Sequence, residues 1–208
     1  TVETTRYESP ATVSDAVRLL QSDPEARVFA GGTDLLIQAR AGLKQPSAFI
    51  DLKRIPDLMA LTVDQRGVRL GAATPAAVIG DHPEMKRLWP GLVEAVRLIG
   101  STQIQGRGSV GGNLCNGSPA ADATCPLIVN RARAVIVGPE GERIVDVDGF
   151  CTGPSQTVLV VSTRSTTYST SNSASRLPPS SLIRWFRLKP VARTCDGVAL
   201  GNRSPASC

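Results

Sequence analysis

Two glycine pairs restrict this chain more than any other feature. Gly31-Gly32 follows the apolar Val28-Phe29 within Ala30-Gly31-Gly32-Thr33-Asp34, and Gly111-Gly112 lies within Ser109-Val110-Gly111-Gly112-Asn113. Each reads as a strand running into a tight turn without side chains. Such a turn lets backbone amides gather around one concavity, and no Cβ blocks close approach, which suits a phosphate. Two such loops in one chain point to a large diphosphate cofactor held from both sides.

Side chains able to do chemistry are scarce. The one histidine, His82, precedes Pro83 in a polar stretch and reads as a solvated surface residue. No Ser/His/Asp constellation can be built without it. Five cysteines, at 115, 125, 151, 195 and 208, form no CxxC pair. Zinc and iron–sulfur ligation are therefore not expected, and free thiols are. Cys115 reads as a packing residue beside the second glycine pair. No catalytic side chain and no metal ligand is assigned. A body that binds a cofactor without acid–base residues fits a redox module, in which the cofactor does the chemistry.

The glycine segments differ in density. Thr33 can donate its hydroxyl to a phosphate oxygen, while Asp34 suits a helix cap or a ribose hydroxyl. Gly106 to Asp122 is rich in glycine, small hydroxyls and carboxamides, as a ligand-lining loop requires. There Ser109 and Asn113 can bond phosphate or ribose. Asp122 can accept from a sugar hydroxyl or a ring N–H, or serve as a charge at a helix start. Gly106 to Gly111 meets the G-x-G-x-x-G spacing by letter, but no strong strand precedes it and no long helix follows, so a Rossmann site is not read there.

Organisation follows from periodicity and punctuation. Residues 12–21 read as a helix capped by Thr12 or Ser14, residues 27–30 as a short buried strand, 34–40 as a helix and 48–52 as a strand. Residues 1–55 thus form a small α/β unit. After Pro56, strands are expected at 58–63 and 68–71, helix over most of 76–99 with breaks at Pro83 and Pro90, a short helix within 120–131, and strands at 134–137 and 143–147. Residues 56–158 form a second, α+β unit. No apolar run approaches the roughly 20 residues that span a bilayer, the N-terminus does not read as a secretory signal, and a cytoplasmic location is expected.

Charge separates a body from a tail. Residues 1–156 carry 16 Lys+Arg against 17 Asp+Glu, whereas residues 157–208 carry 7 basic residues and one acidic residue. The body gives no reason to expect nucleic acid. Residues 162–181 are Ser/Thr-rich and without periodicity, so disorder is expected over 159–208. Residues 182–188 read as a lone apolar patch without partners.

Taken in order, these motifs resemble the flavin-binding medium subunit of the molybdenum hydroxylases, which include xanthine dehydrogenase and the aerobic carbon monoxide dehydrogenases. The resemblance rests on Ala30-Gly31-Gly32-Thr33-Asp34-Leu35-Leu36 and Ser109-Val110-Gly111-Gly112-Asn113-Leu114. It is supported by residues 50–58, 70–74, 100–104 and 118–122, and spans about residues 5–156. It implies an α+β fold of two subdomains, of the PCMH type shared with vanillyl-alcohol oxidases and MurB-like reductases, with FAD between them. Ala30, Gly31, Gly32, Thr33 and Asp34 would hold the pyrophosphate. Ser109, Val110, Gly111, Gly112 and Asn113 would hold it from the other side, and Asp122 would contact FAD. Electrons would come from a 2Fe-2S small subunit, reduced by a molybdenum-cofactor large subunit, and pass to NAD or another acceptor.

The chain departs from this pattern in two places. Gln105-Gly106 stands where the family has Arg-Asn. Beyond about Val158 the resemblance stops, and residues 159–208 match neither the strands nor the C-terminal domain of the family. The switch in composition suggests out-of-frame translation or an error in the gene. The competing reading is a truncated or frameshifted, non-catalytic remnant or assembly module with impaired flavin binding.

Overall fold

The computed structural model describes residues 5–159 and 180–188. The chain opens with β1 (Arg6–Glu8), α1 (Val13–Ser22), β2 (Arg27–Phe29), α2 (Leu35–Arg40) and β3 (Ala48–Asp51). Thr12 caps α1 by accepting from the Asp15 amide, and Ala16, Val17 and Leu20 form its buried face. The three strands make a parallel sheet in the order β1-β3-β2. Strand β2 is half-buried rather than fully buried. The N-terminal strand β1 was not foreseen.

A 3-10 turn, Leu52–Arg54, leads to α3 (Pro56–Met59), β4 (Leu61–Asp64) and β5 (Gly67–Gly71). The strand expected at 58–63 therefore begins later. Pro56 occupies the first turn of a short helix, where its missing N–H is no loss, and pairing starts at Leu61. Three helices follow, α4 (Ala76–Asp81), α5 (Pro83–Leu88) and α6 (Pro90–Leu98), broken at the two prolines as expected.

Next come α7 (Thr102–Gln105), α8 (Val110–Asn116), α9 (Thr124–Val129), β6 (Arg133–Gly138), β7 (Gly141–Asp146), β8 (Cys151–Gly153) and β9 (Gln156–Thr157). The last described element is β10 (Leu182–Leu188).

Strand β10 corrects the reading of a patch without partners. It lies in the centre of a five-stranded antiparallel sheet, order β4-β5-β10-β6-β7, with Phe186 between Leu70 and Ala134. Its Leu182, Ile183, Phe186 and Leu188 are buried. The rest of the tail lies outside the described residues.

Two cores result. The larger packs α4, α6, α8 and α9 against the five-stranded sheet around Trp89, Leu92, Leu114, Phe150 and Phe186. The smaller joins α1 and β3 to Leu58, Ala73 and Leu182. The two sheets are thus tied together through residues of both. No helix among the described residues is long and apolar enough to cross a membrane.

Candidate functional site

The first glycine pair lies where β2 gives way to α2. Gly32 has φ 72°, a left-handed conformation that favours glycine. The amides of Gly32, Thr33 and Asp34 make no hydrogen bond to any described residue. Asp34 stands at the start of α2 but makes no side-chain cap.

A buried carboxylate anchors this loop from behind. Lys53 Nζ donates to the Ala30 carbonyl (2.9 Å) and to Asp51 Oδ1 (2.8 Å), and lies 4.6 Å from the centre of the Phe29 ring. Asp51 is 5% exposed and also accepts from Tyr7 Oη at 2.6 Å and from the Lys53 amide at 2.9 Å. Burial alone would raise its carboxyl, but the bonds from Lys53 and Tyr7 outweigh it and hold the group below its ordinary value. The sequence reading did not single out this group, although Asp51 and Lys53 belong to one of the stretches that carried the resemblance.

The second glycine pair differs from its expected form. No strand precedes it, and Gly111 and Gly112 lie in the first turn of α8. Ser109 caps that helix, accepting at Oγ from the Gly112 amide at 3.1 Å. The Gly111 amide donates to the Ala72 carbonyl (3.1 Å) and the Asn113 amide to that of Ser109 (2.9 Å). This pair therefore uses its amides internally and serves close approach. A Cβ on Gly111 would stand 2.4 Å from the Ala72 oxygen, and one on Gly31 would stand 2.1 Å from the Arg107 oxygen. Arg107 Nε also donates to the Gly31 carbonyl at 3.3 Å. The missing side chains bring the two glycine segments together.

Between them lies a cleft holding about 230 Å³ of water-accessible space. Ala30, Gly31, Gly32, Thr33, Asp34, Ser109, Gly111, Gly112 and Asn113 line it, with apolar Val28, Leu52, Ile99 and Leu182. Two expected residues do not. Val110 is 1% exposed and belongs to the larger core, because its position in α8 turns it towards the sheet. Asp122 is exposed and outside the lining; its neighbour Ala123 donates to Asn113 Oδ1 at 3.3 Å.

The cleft has further lining residues that sequence reasoning missed. Gln38 Nε2 donates to Asn116 Oδ1 across it at 3.3 Å. Arg27 and Lys44 bring positive charge to its lining, and partial burial lowers both pKa values. Ser181 also lines it, with a buried Oγ that has no hydrogen-bond partner. Nothing in residues 180–183 signalled this place, since it depends on β10 pairing with distant strands. His82 is half-buried with its Nδ1 buried, not solvated, and it lies away from the cleft. Among the described residues no cluster suited to a metal occurs, and Cys115, Cys125 and Cys151 are free thiols.

A mixed sheet-and-helix fold with a glycine-walled cleft between two sheets defines a nucleotide-cofactor domain. Residues 3–164 match the family described as the FAD binding domain in molybdopterin dehydrogenase, and the chain belongs to that family. Similar proteins include the carbon monoxide dehydrogenase medium chain of Hydrogenophaga pseudoflava, 36% identical over 154 residues, covering 74% of this chain and 54% of that one. The xanthine dehydrogenase FAD-binding subunit of Escherichia coli O157:H7 is 34% identical, covering 74% and 53%. The chain thus spans about half the length of these relatives.

The structure of carbon monoxide dehydrogenase from H. pseudoflava, in a form lacking the Mo-pyranopterin moiety, superposes with a TM-score of 0.79 at 29% identity. That match covers 91% of this chain and 60% of the other. Quinoline 2-oxidoreductase from Pseudomonas putida 86 shares the fold, with a TM-score of 0.79 at 21% identity. The residues present fit the family's cofactor: amides without partners and a cradle that side chains would fill suit a diphosphate.

Proposed function

We propose that this chain holds FAD in the cleft between the two glycine segments, as the flavin-bearing part of a multi-subunit molybdenum hydroxylase. When bound, FAD would supply the two-electron chemistry that the side chains here lack. The amides of Gly32, Thr33 and Asp34 would receive the diphosphate, and the carboxamide of Asn113 and the Thr33 hydroxyl would add bonds to it or to ribose. Gly111 and Gly112 would keep the opposite wall free of side chains. Asp51 and Lys53 would fix the first loop through the Ala30 carbonyl.

Electrons would reach this chain from a 2Fe-2S small subunit served by a molybdenum-cofactor large subunit, and leave to an acceptor such as NAD. The assembly would be cytoplasmic. The observation that carries the reading is the set of amides without partners in a loop that also lines the cleft. Flavin absorbance of the purified full chain, mixed with FAD and desalted, tests it. Retained flavin that is lost in Gly32→Val supports the assignment. A folded chain that retains no flavin would instead be the non-catalytic module.

A further inference from the structure

The five-stranded sheet packs α4, α6, α8 and α9 on one face, while α3 covers the β5 and β10 end of the opposite face, where a Cβ on Gly71 would meet the Leu58 carbonyl oxygen at 2.3 Å. Across the other face runs a single row of register-paired residues, Thr62, Arg69, Arg187, Arg133 and Asp146, one from each strand. Residues paired in this way point to the same side of a sheet. Three arginines therefore stand side by side on β5, β10 and β6, spaced by roughly 4.8 Å. Like charges directly opposite one another destabilise a sheet.

The fold offsets only part of this repulsion. Arg69 pairs with Asp57 Oδ1 at 2.5 Å, and its guanidinium lies 4.8 Å from the centre of the Trp185 ring. Arg187 approaches the same ring at 5.8 Å. Arg184, at the irregularity in β10, takes the other Asp57 oxygen at 2.5 Å and reaches Glu142 at 3.3 Å. Asp57 is thus engaged by Arg69 and Arg184. Arg187 and Arg133 form no ion pair with any described residue, and Arg187 is exposed.

We propose that Arg69, Arg187 and Arg133, with Trp185 against the first two, form a docking surface for a protein partner presenting a cluster of carboxylates. Arginine forks match carboxylates in pairs, and arginine with tryptophan supplies the anchors of many interfaces. Asp146 ends the row, and Asp57 and Glu142 border it. A continuous polyphosphate would be driven against them, whereas a polypeptide can place its carboxylates between them. That border favours an acidic protein segment over nucleic acid.

The test uses the full chain and two probes, a fluorescein-labelled octaglutamate peptide and a labelled oligothymidine of equal charge. The peptide binds more tightly than the oligonucleotide and alters the fluorescence of Trp185, an effect absent in Trp185→Phe. Arg133→Gln and Arg187→Gln each weaken peptide binding about fivefold. Both leave the melting temperature unchanged or slightly raised, because they relieve repulsion, and this separates lost docking from lost fold. Arg66→Gln and Arg143→Gln, outside the row, leave binding unchanged. Equal weakening by all four substitutions, or tighter binding of the oligonucleotide, overturns the proposal.

Discussion

Gly31 is packed so closely on Arg107 that a Cβ there would lie 2.1 Å from the Arg107 carbonyl oxygen and 2.8 Å from the Gly108 nitrogen. This contact brings a loop of the small sheet against the segment that leads into α8, and so sets the width of the cleft. Gly31→Ala forces backbone apart rather than a flexible side chain. The expected loss of stability is about 1–3 kcal/mol, with weakened flavin retention, read by thermal melting and by absorbance after desalting.

Gly111 and Gly112 are neighbours with different tolerances. Gly111→Ala drives a methyl to 2.4 Å from the Ala72 oxygen, and should cost about as much stability as Gly31→Ala. At Gly112 the added Cβ meets only Ser109 Oγ, at 3.3 Å. The gain in helix propensity there is about 1 kcal/mol, so the melting temperature of Gly112→Ala should stay close to that of the unaltered chain. Flavin retention in Gly112→Ala then reports on the wall of the cleft alone.

The Asp51 group links the first loop to acid stability. Its folded-state pKa lies below the ordinary carboxylate value of 3.8. The stability it contributes is therefore complete above that value and is lost as pH falls through the folded-state pKa. Denaturation between pH 5 and pH 2 should show a shallower acid limb in Asp51→Asn than in the unaltered chain (about pH 5 marks the onset of such losses). Lys53→Met leaves a carboxylate buried without its cation and should cost about 1–3 kcal/mol at neutral pH. Equal acid limbs in the two proteins would count against this coupling.

Strand β10 joins the two halves of the five-stranded sheet, since β5 and β6 each pair with it. Phe186 is fully buried at its middle. Phe186→Ala should cost about 3–5 kcal/mol. A chain ended at residue 179 should lose cooperative melting, because two strands then face each other without a partner between them. Calorimetry of both proteins checks this.

What the sequence revealed depended on the range of the interactions involved. Helix α1, the proline-broken run from α4 to α6 and the adjacent strands β6 and β7 are all local, and Thr12, Pro83 and Pro90 mark the helix start and the two breaks. Strand β10 was illegible because its partners are Arg133–Val137 and Val68–Gly71, far along the chain. The second glycine pair reads as a turn after a strand but opens a helix, because Ser109 suits a loop and a cap equally well. Ser101 caps α7 in the same way, accepting from the Ile104 amide.

The site was legible as segments rather than as contacts. Glycine pairs advertise close approach, but not which pair keeps its amides unspent. Asp122 belongs to the dense second segment, but its side chain is exposed and stands outside the lining of the cleft. The role of Lys53 is not local, since its Nζ reaches back 23 residues to a carbonyl oxygen.

The amides of Gly32, Thr33 and Asp34 are proposed to hold the diphosphate of FAD. Titration of the full chain with FAD and with riboflavin, which shares the ring but has no phosphate, tests it most directly. One FAD should bind per chain, riboflavin should bind far more weakly, and Gly32→Val should remove that preference. Equal affinity for the two flavins, with Gly32→Val folded and unaffected, would contradict it.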